Sequence, residues 1–255
     1  MDESLLLQIE EASINASAST QQLWMDGWLV RRSPGKAKRA RCINAVSEGR
    51  LLLDQKLLRA GRLFAEAKLP LLVRLTPFSL PCDLDHQLER RHFDKLDETR
   101  VMALSQLELM RIESPPLGLR FVALEATRYA EIVGELRSST VLERLAHATR
   151  LTHSPIEYHG FAFVNAEGSV MACGQYAREA ELVGLYDVFT RPDQRGHGLA
   201  GALCKRLLAL AADEAAVCAY LQVDEANVSA RGLYTRLGFV DAYTYHYRAA
   251  PTSAP

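Results

Sequence analysis

Apolar positions in the second half of the chain recur with two different periods, and these alternate along the sequence. Residues 161–166 (FAFVNA) and 168–177 (SVMACGQYAR) are strand-like runs on either side of Glu167–Gly168, which predicts a hairpin. Residues 181–190 (ELVGLYDVFT) form another such run, closed by Arg191–Pro192 and a polar turn. Leu199, Ala200, Leu203, Leu207, Leu208 and Ala211 then fall at helical spacing and predict a helix over 197–214. The run 216–223 (AVCAYLQV) reads as a short buried strand. Residues 227–237 read as a helix capped by Gly238, and 239–248 (FVDAYTYHYR) as an alternating aromatic strand. Together these elements predict a mixed α/β sheet.

The first half carries a related pattern. Residues 23–31 and 39–46 read as two strands joined around Ser33-Pro34-Gly35, residues 51–67 as a helix, and 70–75 as a strand. A helix over 84–91 and a strand ending the stretch 92–104 complete it. Sliding the chain by 146 residues aligns the halves without gaps from about residue 50 onward, bringing Phe93 onto Phe239 and Leu71–Leu75 onto Val217–Leu221. A match of this length predicts two copies of one architecture.

Composition narrows the class. With 48% hydrophobic and 24% charged residues in 255, the chain has enough apolar material for a real core. A net charge of −1 argues against a dedicated nucleic-acid binder. No run approaches 18 apolar residues, so no membrane span is expected, and the acidic start MDESLLLQIEEAS lacks the basic region of a signal peptide. Cys42, Cys82, Cys173, Cys204 and Cys218 have no metal-ligand spacing and read as buried thiols of a reducing, cytoplasmic compartment.

The chemistry concentrates in Gln194-Arg195-Gly196-His197-Gly198-Leu199-Ala200-Gly201, between a strand and a helix. Glycines there let a ligand approach the backbone, and free N–H groups at a helix start hold phosphate. The string also satisfies GxGxxG, with Asp224 after the next strand, as a dinucleotide site requires. That reading fails on position. Five polar residues including Pro192 separate the motif from its strand, and too little chain follows Asp224 for half a doubly wound sheet.

The segment Tyr186–Ala200 resembles the signature of the GNAT acetyltransferase superfamily, [Q/R]-x-x-G-x-[G/A], through Arg195, Gly198 and Ala200. Asn227-Val228-Ser229-Ala230-Arg231-Gly232-Leu233-Tyr234, continuing to Gly238-Phe239, is similar to that family's second signature. The resemblance covers about residues 119–248. It implies an α/β (α+β) fold, a mixed and mostly antiparallel sheet flanked by helices. It further implies an N-acetyltransferase using acetyl-CoA as cosubstrate, an amine-bearing acceptor on a small molecule, peptide or protein, and no metal; a homodimer stays open.

Residue by residue, the resemblance gives Val188, Phe189 and Thr190 the pantetheine arm, added as a strand to a sheet edge. The N–H groups from Arg195 through Gly196, His197, Gly198, Leu199 and Ala200 to Gly201 take the pyrophosphate, and Asn227 takes a pantetheine amide. Tyr234, on the same helix face as Asn227, is the acid that protonates the leaving thiolate. Some family members carry a glutamate base six positions before the residue matching Thr190, and here that position is Gly184. The base is therefore unassigned, with Asp187 and Glu181 as candidates. A non-catalytic acyl-CoA-binding or sensing module is the alternative, separated by an assay of thiol release.

Set against the motif, the first copy has lost its cofactor positions. Arg50 and Leu52 stand opposite Gly196 and Gly198, Pro81 opposite Asn227, and Leu88 opposite Tyr234. Residues 1–105 are expected to form a degenerate, GNAT-like half-domain lacking the early strands, and 106–255 the catalytic domain. The basic run Arg31–Arg41 is expected to be a hairpin with solvated charges. The segment from Glu135 to Gly160, with His147, His153 and His159, is where such a domain builds its acceptor site.

Overall fold

The computed structural model describes residues 1–107 and 111–251. Among them, eleven strands form one sheet in the order β1-β2-β3-β4-β11-β5-β10-β9-β8-β7-β6. In the first half come α1 (Glu3–Ala16), β1 (Gln22–Met25), β2 (Trp28–Arg31), β3 (Ile43–Ala45), α2 (Leu53–Glu66), β4 (Leu72–Leu75), α3 (Leu84–Glu89) and β5 (Asp94–Leu104). The second half adds β6 (Arg120–Leu124), α4 (Ala126–Leu136), α5 (Val141–Thr152), β7 (Tyr158–Val164), β8 (Val170–Glu179) and β9 (Leu182–Thr190). It ends with α6 (Leu199–Asp213), β10 (Cys218–Asp224), α7 (Val228–Arg236) and β11 (Val240–Ala249). Only β3·β4 and β9·β10 pair in parallel among these strands; the other neighbours are antiparallel.

The succession helix–strand–strand–strand–helix–strand–helix–strand occurs twice, from α1 to β5 and from α5 to β11. The starts of α2, β4 and β5, at 53, 72 and 94, reappear 146 positions later as the starts of α6, β10 and β11, at 199, 218 and 240. The first copy therefore has its early strands, against expectation; it lacks counterparts of β6 and α4. The terminal strands change places. β5 pairs with β10 of the other copy, β11 pairs with β4, and β5 and β11 pair with each other at the middle of the sheet.

Burial follows from side-chain alternation along each strand. One face is covered by α1, α4 and α5, whose Ile9, Ala12, Tyr129, Val133 and Leu151 join the tyrosines of β9, β10 and β11. Leu203, Leu207 and Leu208 of α6 cover the other face of the second half, and Ala60 and Phe64 of α2 cover that of the first. Helix starts are set locally. The Asp2 carboxylate accepts from Leu5 N–H at 2.8 Å, and Thr140 with Glu143 forms a capping box on α5.

Three local expectations are corrected. Residues 23–31 are two strands, because Asp26 and Gly27 both take positive φ (49° and 86°), the geometry of a tight hairpin turn. Residues 39–42 are not a strand: 38–40 form a single 3-10 turn that brings the basic run back over the sheet. Cys82 is exposed, while the other four thiols are buried.

Candidate active site

The parallel pair β9·β10 is joined only from Leu182–Cys218 to Leu185–Leu221. Beyond that point β9 runs on to Thr190, still paired with β8, and β10 runs on to Asp224, so the two strands part. The β10-facing edge of residues 186–190 is thus open, the condition for an extended ligand to add as a strand. Val188, Phe189 and Thr190 all lie on this edge, and the buried Thr190 Oγ1 has no hydrogen-bond partner among the described residues. A hydroxyl without a partner is the kind of group a ligand satisfies.

The loop after β9 makes a 3-10 turn at Pro192–Gln194 and reverses at Gly196 and Gly198, with φ of 82° and 76°. A side chain is strained at that φ, so both positions require glycine. Gly198 is the N-cap of α6, and the first amide after it to bond back is Ala202 N–H, to Gly198 O at 3.0 Å. The N–H groups of Leu199, Ala200 and Gly201 are the helix-start donors that have no carbonyl behind them. With His197 exposed beside them, they form an anion cradle at the positive end of the helix. The Arg195 guanidinium lies 5.6 Å from the centre of the Phe189 ring, between slot and cradle. Leu52, which corresponds to Gly198 in the first copy, caps α2 at φ −62°, and no such reversal occurs there.

Gly201 also admits α7: a Cβ there would stand 3.3 Å from Leu233. Asn227 is the N-cap of α7, its Oδ1 accepting from Ala230 N–H at 3.1 Å. Tyr234 is half-buried, with its ring 6.0 Å from that of Phe239. Burial pushes its phenol well above the ordinary value, so the hydroxyl stays protonated at any working pH.

Opposite Gly174 of β8, the strand β9 carries a bulge. Cys173 pairs with Phe189 and Gln175 with Tyr186, leaving Asp187 and Val188 against one residue. Asp187 sits at φ 52° and turns its carboxylate toward α4 and α5. Arg137 donates to it at 2.7 Å, Gln175 at 2.8 Å, and His147 Nε2 lies 3.3 Å away. Its backbone carbonyl accepts from Tyr129 Oη at 3.1 Å. Burial works to raise this carboxyl, but contact with His147 and the Arg137 charge outweigh it and hold it well below 3.8. An anion so stabilised is a poor proton acceptor. Glu181 stands at the far end of β9, about 30 Å of extended chain from Thr190, and exposed. Neither carboxylate is placed as the base. At Gly184, where a glutamate was sought, a Cβ would stand 2.5 Å from the Tyr186 ring, whose hydroxyl meets that of Tyr220 at 2.8 Å. The bulge's tyrosine pair fills the room that a glutamate needs.

Sequence reasoning gave no role to Arg137, Gln175 or His147, although Arg137 and His147 both stand in the Glu135–Gly160 segment singled out for the acceptor. Beside them is a cavity of about 270 Å³ between α4, α5 and the loop from Ser33 to Ala40. That loop is part of the basic run, so the run is not a solvated hairpin. Arg31 is buried, Lys36 lines the cavity, and Arg39 reaches across to bond Gln222 on the parted end of β10 and lies 5.7 Å from the Tyr186 ring. The first half thus builds one wall of a cavity whose other walls belong to the second.

A parallel strand pair that parts before a glycine-reversed helix start is thus the frame of the candidate site. Residues 124–239 match the model of the acetyltransferase (GNAT) family, and this segment belongs to that family. The whole chain is similar in fold to a GCN5-related N-acetyltransferase from Kribbella flavida, at 13% identity and TM-score 0.70, over 99% of this chain and 97% of that one. A GCN5-related N-acetyltransferase from Sphaerobacter thermophilus is similar over 79% of this chain and 69% of its own, at 18% identity and TM-score 0.60. A tandem GNAT protein from the clavulanic acid biosynthesis pathway is similar over 78% and 70%, at 14% identity and TM-score 0.60. No curated protein matches the chain in sequence. Among the described residues no helix is long and apolar enough to cross a membrane, and no cluster of His, Cys, Asp and Glu suits a metal ion.

Proposed function

We propose that the chain is an N-acetyltransferase that moves an acetyl group from acetyl-CoA to an amine, both substrates being held together at the parting of β9 and β10. The observation that carries this reading is the open edge of β9, with its orphaned Thr190 hydroxyl, leading directly into the Gly196–Gly198 reversal. Val188, Phe189 and Thr190 hold the pantetheine arm, Arg195 to Gly201 the pyrophosphate, and Asn227 an amide through the Nδ2 that its capping role leaves over. Acetyl-CoA supplies an activated thioester carbon. The acceptor nitrogen forms the new C–N bond as the C–S bond breaks, and Tyr234 gives its proton to the departing sulfur.

The amine proton needs a second acceptor, and His147 is the residue we assign. His147 lines the cavity beside the bulge, and Asp187 stands next to it to orient it. The acceptor lies in that cavity, where Lys36, Arg137, Arg144 and Arg150 outnumber Glu143 and Asp187. The surplus favours an amine that also bears an anionic group. Residues 1–105 act as a degenerate half-domain that walls this cavity and binds no acetyl-CoA, and 106–255 as the catalytic domain. The test is thiol release from acetyl-CoA across a panel of amines with and without a carboxylate or phosphate. Release with anionic amines is expected, and stoichiometric binding of acetyl-CoA without release from any amine would leave a binding module instead.

A further inference from the structure

A polar-lined cavity outside the proposed site lies in the first half, roofed by α1 and floored by β1 to β4, with a volume of about 450 Å³. That is within the range of small-molecule pockets. Its place mirrors that of the acceptor cavity, since α1 precedes the β1–β2 hairpin as α5 precedes β7–β8. Leu7, Ile14, Trp24, Leu29 and Phe78 give it apolar walls.

Two acids, Glu10 and the exposed Glu11, and two bases, Arg31 and Arg74, line it, but no ion pair joins Arg31 to either acid among the described residues. Glu10 takes Arg74 and also accepts from Tyr243 Oη at 2.6 Å, so its charge is met. Arg31, 2% exposed, has only neutral partners: Nε donates to Gln22 Oε1 at 3.0 Å and Nη1 to Ile14 O at 2.9 Å. Burial lowers Arg31 only to about 10, so it remains a cation near neutral pH. Burying a cation without a counter-anion is unfavourable, and a ligand anion offsets that cost.

We propose that this cavity is a second binding site, separate from the acyl-CoA slot and the acceptor cavity, for a small monocarboxylate with an apolar body, whose carboxylate pairs with Arg31. The apolar walls select the body, and Glu11, at the exposed rim of the lining, disfavours a second negative charge. The proposal stands independently of the catalytic reading.

Titration calorimetry on the full chain tests it, with hexanoate and phenylacetate as probes and hexanamide and phenylacetamide as uncharged controls. The carboxylates are expected to bind at least tenfold more tightly than their amides, with affinity unchanged by saturating acetyl-CoA. Arg31→Gln should remove that preference. Because Arg31 also ties β2 to the end of α1, Leu7→Glu on the exposed face of α1 serves as a second variant. It sets a carboxylate at the cavity mouth without breaking the helix, and should weaken the carboxylates at least tenfold. Equal binding of acid and amide, displacement by acetyl-CoA, unchanged affinity in Leu7→Glu, or no binding of either acid at millimolar concentration would each overturn the proposal.

Discussion

Replacing Asp187 by asparagine separates the two roles a carboxylate in this cavity can have. Asparagine tolerates the φ of 52° and keeps the shape, so the change removes charge and little else. In the folded protein that charge receives Arg137 at 2.7 Å and Gln175 at 2.8 Å. Hydrogen bonds to a charged group contribute about 1.5–3 kcal/mol each. Asparagine retains one acceptor, and with Asp187 20% and Arg137 34% exposed, solvent screens part of the pair. The net loss should be about 1–3 kcal/mol, or about 2–12 °C in Tm for a chain of this size. The sign of the pH dependence is fixed by the direction of the shift. A carboxyl held well below 3.8 when folded adds stability that is fully present above about pH 5 and lost as the pH falls through the folded value. Thermal melts of the two proteins at pH 7 and in steps toward pH 3 should therefore converge in acid. Activity should fall about tenfold through a misplaced His147, without being abolished. Equal Tm values at pH 7, or a gap that stays constant into acid, would refute the account of Asp187 as a stabilised anion. Loss of all turnover with unchanged stability would make it the base.

Other consequences are equally concrete. Tyr234→Phe deletes a hydroxyl and leaves the ring on Phe239, so kcat should fall about 10- to 1,000-fold with little change in the KM for acetyl-CoA, as steady-state kinetics would report. Gly198→Trp places a ring over the helix start at a φ of 76° while meeting open space, so circular dichroism should stay native-like as calorimetric binding of acetyl-CoA disappears. Binding stoichiometry should be one acetyl-CoA per chain, since Leu52 and Leu88 stand where Gly198 and Tyr234 act; a titration reaching two would end the assignment of a silent first half. Residues 106–255 expressed alone should lack a cooperative melt, because β10 loses the strand it pairs with over Ala219–Asp224.

The parts of this fold written in local spacing were legible. The leucine period of α6, the glycine ends of α6 and α7, and the 146-residue repeat of the elements from α2 onward all follow from short-range pattern. Two local signals went unread: Asp26–Gly27, a strong hairpin turn inside what looked like one strand, and Thr140 with Glu143, a capping box that begins α5. The rest was not local. The place of β5 between β11 and β10 depends on pairing between strands more than a hundred residues apart. The bulge at Asp187 exists because β8 offers Gly174 to two residues of β9, and nothing in ELVGLYDVFT announces it. Arg137, Gln175 and His147 converge on one carboxylate from three elements, so no spacing rule collects them. The misreading of the basic run has the same origin: charges that look solvated along the chain, as at Arg31 and Arg39, are covered by a helix and a strand end far away in sequence.

The exchange of β5 and β11 also dictates when the molecule can become whole during synthesis. Domains of a growing chain commonly fold in order of emergence, the earlier one first. Here the earlier copy cannot finish its own sheet, because the neighbour that β4 needs is residues 240–249, the last of the described strands in chain order. Until then β4 presents an unpaired edge, and β5 waits for β10. The sheet therefore closes in one late event, once residues 240–249 have been delivered, and both halves are committed to the same outcome. A nonsense mutation that removes only β11 would cost the distant first half as much as the half it truncates.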